Sequence, residues 1–318
     1  MKNFALTGAA GYIAPRHMKA IKETGNRLTA ILDPHDAVGI IDSYFPDASY
    51  FKEFERFERH LDKARRHNSS EKIDYLSICS PNYLHDAHIR LAMRLGVDAI
   101  CEKPLVLNPW NLDLLEELEE ESGKRIYNVL QLRTHPALIE IKNKIDSQKV
   151  NKKYNVELTY ITSRGKWYLY SWKGDVSKSG GLATNIGIHF FDMLIWFFGE
   201  VVSCETHYSS PTKICGFLEL KNANVKWYLS IDKNDLPLEI VNNGKLTYRS
   251  IKINEEKLEF TEGFTNLHTV LYEKVLRGEG FFIKDARPSI ELAYRIRNSI
   301  VNLNLERAHP FITKTREK

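Results

Sequence analysis

NFALTGAAGYIAPRHMKAIKETGNRLTAILD, residues 3–33, reads as strand, turn, helix and strand. Residues 3–7 make a short run fit for a buried strand, and the small residues of GAAGYIA, 8–14, follow at once. Pro15 sits where a first helical turn tolerates it, Met18 and Ile21 supply an apolar face, and Gly25 closes the helix. Residues 27–32 are a second apolar strand, ending on Asp33. Glycine lets such a turn take positive φ and lets the backbone approach a pyrophosphate closely. The helix N-terminus behind it offers unpaired N–H groups and a partial positive charge. A carboxylate at the end of the second strand accepts hydrogen bonds from both adenosine ribose hydroxyls and repels a 2′-phosphate, which favours NAD over NADP. The spacing Gly8-x2-Gly11-x2-Ala14 departs from G-x-G-x-x-G, so the glycines alone describe only a tight turn. Strand, helix and Asp33 together make it a dinucleotide site.

Working outward, the alternation continues. Helices are expected at 37–45, 54–67, 84–95 and 110–121, and strands at 73–79, 97–101 and 125–132. That order implies a parallel, doubly wound sheet, whose ligands lie at the carboxyl ends of the strands, where Gly8, Asp33, Ser80 and Lys103 all fall. After a helix at 136–148 the pattern changes. Strands are expected at 154–163, 201–209, 213–220, 224–232, 238–241 and 246–253, with Asn242-Asn243-Gly244 as a hairpin signal. Helices at 264–277 and 289–305 finish the chain. The expected fold is α/β: an N-terminal Rossmann dinucleotide-binding domain over 1–132, then a C-terminal α+β domain over 133–318 with a large, mostly antiparallel sheet. The helix 289–305 is expected to pack back on the first domain.

At 318 residues the chain has room for two domains, each with its own core. The 45 basic and 41 acidic residues give a net charge of +4, too balanced for a nucleic-acid footprint but compatible with a local basic pocket for an anionic substrate. Cys79, Cys101, Cys204 and Cys215 show no C-x-x-C spacing, which suits reduced cytosolic thiols. The longest apolar run, 190–198, is broken by Asp192 and falls short of a membrane span. A soluble, cytoplasmic protein is expected.

Two further constellations carry chemistry. Cys101-Glu102-Lys103-Pro104 stands at a strand end, and residues 179–192 read SGGLATNIGIHFFD. An ammonium at Lys103 beside a reacting hydroxyl stabilises the alkoxide that forms as hydride leaves. Pro104 restricts the backbone there, and Glu102 either orients the lysine or the nicotinamide ribose or is a structural hydrogen-bonding residue. His189 is the natural general base, with an ordinary pKa near working pH, and Asn185 four residues earlier shares its face if the helix has begun by then. Asp192 reads as structural. The segment 164–178, RGKWYLYSWKGDVSK, sets four cations against one Asp among aromatics. Guanidinium and ammonium groups suit the carboxylate or phosphate of an anionic ligand, and aromatic faces suit flat or sugar rings. The alternative is an exposed loop whose aromatics pack on the sheet.

Together with the Gly8–Ala14 turn, these stretches resemble the glucose–fructose oxidoreductase / inositol dehydrogenase (Gfo/Idh/MocA) family over essentially the whole chain. Within it, GAAGYIAPRH and RGxWYxxSWKG look most like the UDP-N-acetylglucosaminuronate 3-dehydrogenases, which make precursors of diacetamido-uronic acids for bacterial surface polysaccharides such as O-antigen. The resemblance implies NAD-dependent oxidation of the sugar C3 hydroxyl, with Lys103, His189 and Asn185 as the catalytic group. It implies cofactor contacts from Gly8, Gly11, Tyr12, Ile13, Asp33, His35, Ser80, Pro81, Asn82, His85, Glu102, Lys103 and Gln131. Substrate contacts would come from Lys103, Arg133, Arg164, Tyr168, Trp172, Lys173, Asn185 and His189, with Arg133 serving either this pocket or a neighbouring subunit. Where Asn185 stands the family often has Asp, so Asn185 is expected to hydrogen-bond the sugar rather than raise the basicity of His189. Which of Lys103 and His189 takes the proton is open. The remaining histidines, His17 among them, show no ligand geometry, and no metal is expected. A homotetramer built through the C-terminal sheets is implied, as is a UDP-sugar uronate substrate, with 2-oxoglutarate reoxidising bound NADH in some relatives. The rivals are a free-sugar or inositol dehydrogenase of the same fold and a non-catalytic NAD-binding regulator.

Overall fold

A computed structural model describes residues 1–148, 152–254, 256–258, 266–304 and 306–312. The chain divides into two compact units, Met1–Thr134 with Thr265–Arg287, and His135–Phe264 with Pro288–Lys318.

In the first unit, β1 (Asn3–Thr7), β2 (Arg27–Leu32), β3 (Ser49–Phe51), β4 (Tyr75–Ile78), β5 (Asp98–Cys101) and β6 (Ile126–Asn128) form one wholly parallel sheet in the order β3-β2-β1-β4-β5-β6. The order reverses between β1 and β4, and in such sheets a crevice opens at that switch point. Helices α1 (Ala14–Glu23), α2 (Phe54–Arg66), α3 (His85–Leu95) and α4 (Trp110–Ser122) connect the strands. Gly96 and Gly123 end α3 and α4 at φ +67° and +62°, a conformation glycine takes without strain. The helix expected at 37–45 is a 3-10 turn, Gly39–Ser43. The strand expected to reach 132 stops at Asn128, and Gln131–Thr134 is a second 3-10 turn.

The second unit opens with α5 (Pro136–Ser147) and β7 (Tyr154–Thr162), followed by two single-turn helices, α6 (Trp167–Tyr170) and α7 (Val176–Ser179). A π-helical turn, Ala183–Gly187, leads into α8 (Ile188–Phe198). Then come β8 (Val201–Ser209), β9 (Lys213–Leu220), β10 (Ala223–Ser230), α9 (Leu238–Asn242), β11 (Thr247–Ile253) and β12 (Glu256–Leu258). The sheet order is β12-β11-β7-β10-β9-β8, with β7 and β10 parallel and every other pair antiparallel. The run Val176–Phe198 has the length and mean hydropathy (1.3) of a membrane span, contrary to the sequence reading. Yet 78% of that window is buried inside the protein, where Phe191 meets Trp227 edge-on at 5.3 Å. It is the helix around which this core packs.

Residues 238–241 are helical, not a strand. Leu-Glu-Ile-Val alternates too briefly to specify a period, and the Pro237 carbonyl accepts from the N–H groups of Ile240 and Val241 at 3.0 and 3.1 Å. The Asn-Asn-Gly sequence therefore ends a helix, with Gly244 at φ +67°. The chain completes the first unit with α10 (Leu267–Leu276), whose Leu271, Tyr272 and Val275 share a core with Phe4, Leu6, Met18 and Ile21. The beginning of the helix expected at 264–277 lies outside the described residues. The last helix, α11 (Ile283–Arg297), starts earlier than Pro288 suggests and crosses the division there. The stretch counted with the first unit is thus 265–287, rather than 289–305; Leu305 lies outside the described residues.

Candidate active site

In the first unit, the candidate residues gather at the carboxyl ends of β1, β2, β4 and β5. Gly8 sits at φ +85°, and a Cβ there would lie 2.5 Å from the backbone of Cys79 and Ser80. Only glycine lets the turns after β1 and β4 come so close. Asp33 is buried (4% exposed), and its Oδ2 accepts from the Ala10 N–H at 2.8 Å while Oδ1 accepts from the His35 N–H at 2.9 Å. The second-strand carboxylate is therefore tied to the glycine turn itself. Ile13 gives α1 no side-chain cap, which leaves its first turn suited to an anion. Gly11 lies within this turn, and Tyr12 is 86% exposed beside it, with the Arg16 guanidinium 5.8 Å from its ring. These features fit NAD: a backbone cradle, an uncapped helix start and a ribose-binding carboxylate.

Ser80 Oγ bonds His88 Nδ1 at 2.9 Å, and Pro81 leads into the short turn that holds buried Asn82. His85, expected at the cofactor, is fully buried, its ring nitrogens 2.7 Å from the Pro104 carbonyl and 2.8 Å from that of Ser80. Burial lowers its pKa and those two carbonyls oppose the shift. It braces the two turns against each other. Lys103 is half-buried, with a cis bond to Pro104. Gln131 is half-buried at the start of its 3-10 turn. Arg133 is committed within the first unit: Nη1 lies 3.3 Å from Asp285 Oδ1, Nη2 donates to the Asp285 carbonyl at 3.1 Å, and the guanidinium stacks 5.5 Å from the Phe281 ring. These contacts tie the guanidinium to the start of α11.

Sequence reasoning passed over His17. Its Nε2 lies 3.0 Å from Glu102 Oε1, and His268 Nε2 lies 3.1 Å from the same oxygen, all three residues being buried. Their ligand atoms lie within 4.8 Å of one another, a grouping that could hold a metal ion. Its partners are 85 and 166 residues apart in sequence along this cluster, and no local motif announces them.

The second unit holds its own group of candidate residues. Asn185 stands in the π turn, so its four-residue spacing to His189 is not one α-helical turn. Its Nδ2 donates to Tyr168 Oη at 2.6 Å, which fixes the orientation of the amide. Tyr168 is 2% exposed; burial raises its pKa, against the Asn185 hydrogen bond and the Arg164 charge. Burial lowers the pKa of Lys173, and the neighbouring Arg164 adds to that. The Lys173 ammonium lies 4.3 Å from the Trp172 ring centre. Arg164, Tyr168, Trp172, Lys173 and Asn185 are thus one connected group. His189 is half-buried between buried Ile188 and Phe190.

The residues 2–130 match the oxidoreductase family with an NAD-binding Rossmann fold known as Gfo/Idh/MocA, and residues 142–241 match that family's C-terminal alpha/beta domain. The chain belongs to the Gfo/Idh/MocA oxidoreductase family. It is 52% identical to the WlbA (WbpB) dehydrogenase of Thermus thermophilus, solved in complex with NAD and alpha-ketoglutarate, over 98% of this chain and 100% of that one, with a TM-score of 0.94. A second structure of that dehydrogenase, in complex with NAD and UDP-GlcNAcA, is 51% identical over the same shares with a TM-score of 0.93. Among curated proteins, the oxidoreductase YteT of Bacillus subtilis is 25% identical over 206 residues, 63% of this chain and 47% of its own length. The chain spans about half the length of the curated relatives it matches.

Proposed function

We propose that this chain is an NAD-dependent dehydrogenase that oxidises the C3 hydroxyl of UDP-N-acetylglucosaminuronate to the 3-keto sugar nucleotide, a step toward diacetamido-uronic acids of surface polysaccharide. The observation that carries the reading is 51% identity, over 98% of this chain and 100% of the other, with a dehydrogenase solved with NAD and UDP-GlcNAcA. The nicotinamide, when bound, accepts the hydride. Lys103 supplies an ammonium that stabilises the developing alkoxide, and His189 shares with it the handling of the hydroxyl proton. Asn185 hydrogen-bonds the sugar, while Arg164 and Lys173 hold the uronate carboxylate and diphosphate. Asp33 accepts from the adenosine ribose. The Lys103 ammonium fills the role that a Lewis-acid metal would have at the alkoxide, so a chelator should leave the rate unchanged.

The finer readings are of the same standing. NADH is reoxidised in place by 2-oxoglutarate, which the alpha-ketoglutarate complex of the Thermus protein supports. The protein is a cytoplasmic homotetramer that acts away from the membrane. Exposed Val202, Ile300 and Leu303 beside the edge strand β8 support assembly through the second unit. The test supplies purified protein with NAD and either UDP-GlcNAcA or the same uronate without UDP, following NADH and 2-oxoglutarate consumption. Turnover confined to the nucleotide sugar is expected. Equal rates on the free sugar would replace this reading with a free-sugar dehydrogenase.

A further inference from the structure

Glu102 is the member of the Cys101–Pro104 turn that the proposed chemistry leaves unused. It is 6% exposed, and burial alone would raise its pKa. The hydrogen bonds from His17 and His268 outweigh burial and hold the carboxyl well below its usual range. A carboxylate only accepts, so both imidazoles present Nε2–H to Oε1, at 3.0 and 3.1 Å. His17 Nδ1 must then accept from Tyr272 Oη at 2.7 Å, and Ser77 Oγ donates to Tyr272 at 2.7 Å. Every proton in the chain Ser77–Tyr272–His17–Glu102 is used once. The second carboxylate oxygen, Oε2, accepts the backbone N–H of Lys103 at 3.2 Å.

We propose that His17 and His268 are positioning residues for Lys103: their two N–H groups occupy one oxygen of Glu102 and turn the other to the Lys103 backbone, fixing the lysine at the strand end with a permanent negative charge one residue from its ammonium. The role rests on the reading of Lys103 as the alkoxide-stabilising cation. The groups that face Glu102 are His17, with Arg16 beyond it, from α1; His268 and Tyr272 from α10; and Cys79, His85, Cys101 and Lys103 around the turns. Burial keeps the two thiols and the phenol protonated and lowers the pKa of His17. Glu102 is the fixed anion among them.

The test reads Lys103 itself, without substrate or turnover. Acetylation of Lys103 by acetic anhydride is followed against pH by peptide mass spectrometry in the wild type and in His268→Leu, His268→Gln and Glu102→Gln. Loss of the neighbouring charge should lower the half-labelling pH of Lys103 by about one unit in Glu102→Gln. His268→Leu should shift it the same way, and His268→Gln, whose amide still donates to Oε1, should restore it. With UDP-GlcNAcA, His268→Leu should lose kcat about ten-fold with an unchanged KM, again recovered by Gln. An unmoved labelling curve in Glu102→Gln overturns the proposal, as does a Gln variant as impaired as Leu, the mark of a packing role. Stoichiometric zinc uptake by the wild type that is lost in His268→Leu would make the cluster a metal site instead. If His268→Leu does not fold, the Glu102→Gln and His17→Gln labelling curves decide. Wild-type protein inert toward UDP-GlcNAcA would sink the functional reading while the labelling result still stood.

Discussion

Lys103→Met keeps the length and apolar stem of the lysine and removes only its charge. The variant should fold and bind NAD as the wild type does while kcat falls by about two to four orders of magnitude. His189→Asn should do the same, because this half-buried side chain adds little to the core beside Phe190 and Phe191. Stopped-flow hydride transfer and NAD titration separate the two effects, and wild-type turnover in either variant would remove that residue from the chemistry. Some of this was legible from sequence. Lys103 and His189 stand in short contiguous motifs whose residue types report their chemistry. His17 does not, since its significance depends on a carboxylate and a second histidine brought in by distant segments. For Arg133 the position after a strand suggests a ligand contact, while its ion pair with Asp285, far along the chain, has no local signal.

The turn after β1 is the element on which cofactor affinity depends. Gly8→Ala forces a Cβ to within 2.5 Å of the Cys79–Ser80 backbone at a φ of +85°. It should cost about 1–3 kcal/mol in stability and weaken NAD binding further, both readable by denaturant titration and calorimetry. A stable variant with wild-type NAD affinity would show that the two turns can separate freely. The strand–turn–helix–strand module was readable because its period, glycines and closing aspartate all agree across thirty-one residues. At 238–241 nothing agreed across a comparable length: Pro237 and Gly244 bracket a helix as naturally as a strand, and the six residues between them bury only Ile240. The π turn was equally hidden, because local composition does not distinguish it from α-helix.

Over the whole molecule, acid stability follows from two buried histidines. Burial lowers the pKa of His88 to about 4 and that of His309 to about 3, the neighbouring His85 and Lys226 adding to the shift in turn. The unfolded chain takes up these protons near pH 6.5 and the native state only at much lower pH. Stability is therefore fully present above about pH 6.5 and is lost on acidification, by roughly 1.4 kcal/mol per histidine per pH unit between the two pKa values. Thermal melts from pH 7 to 4.5 should fall steadily, and His309→Gln should flatten the curve. A pH-independent melting temperature would mean that these rings titrate alike in the native and unfolded chain. The division of the chain has a biosynthetic consequence. The sheet that would cradle the nucleotide draws Tyr272 and His268 from a segment synthesised long after its six strands. Fragment 1–134 alone should expose the hollow left by α10, bind hydrophobic dyes and resist proteolysis poorly. During translation, the nascent nucleotide fold must wait, incomplete, until the ribosome has passed the codons of α10, far downstream of the sixth strand.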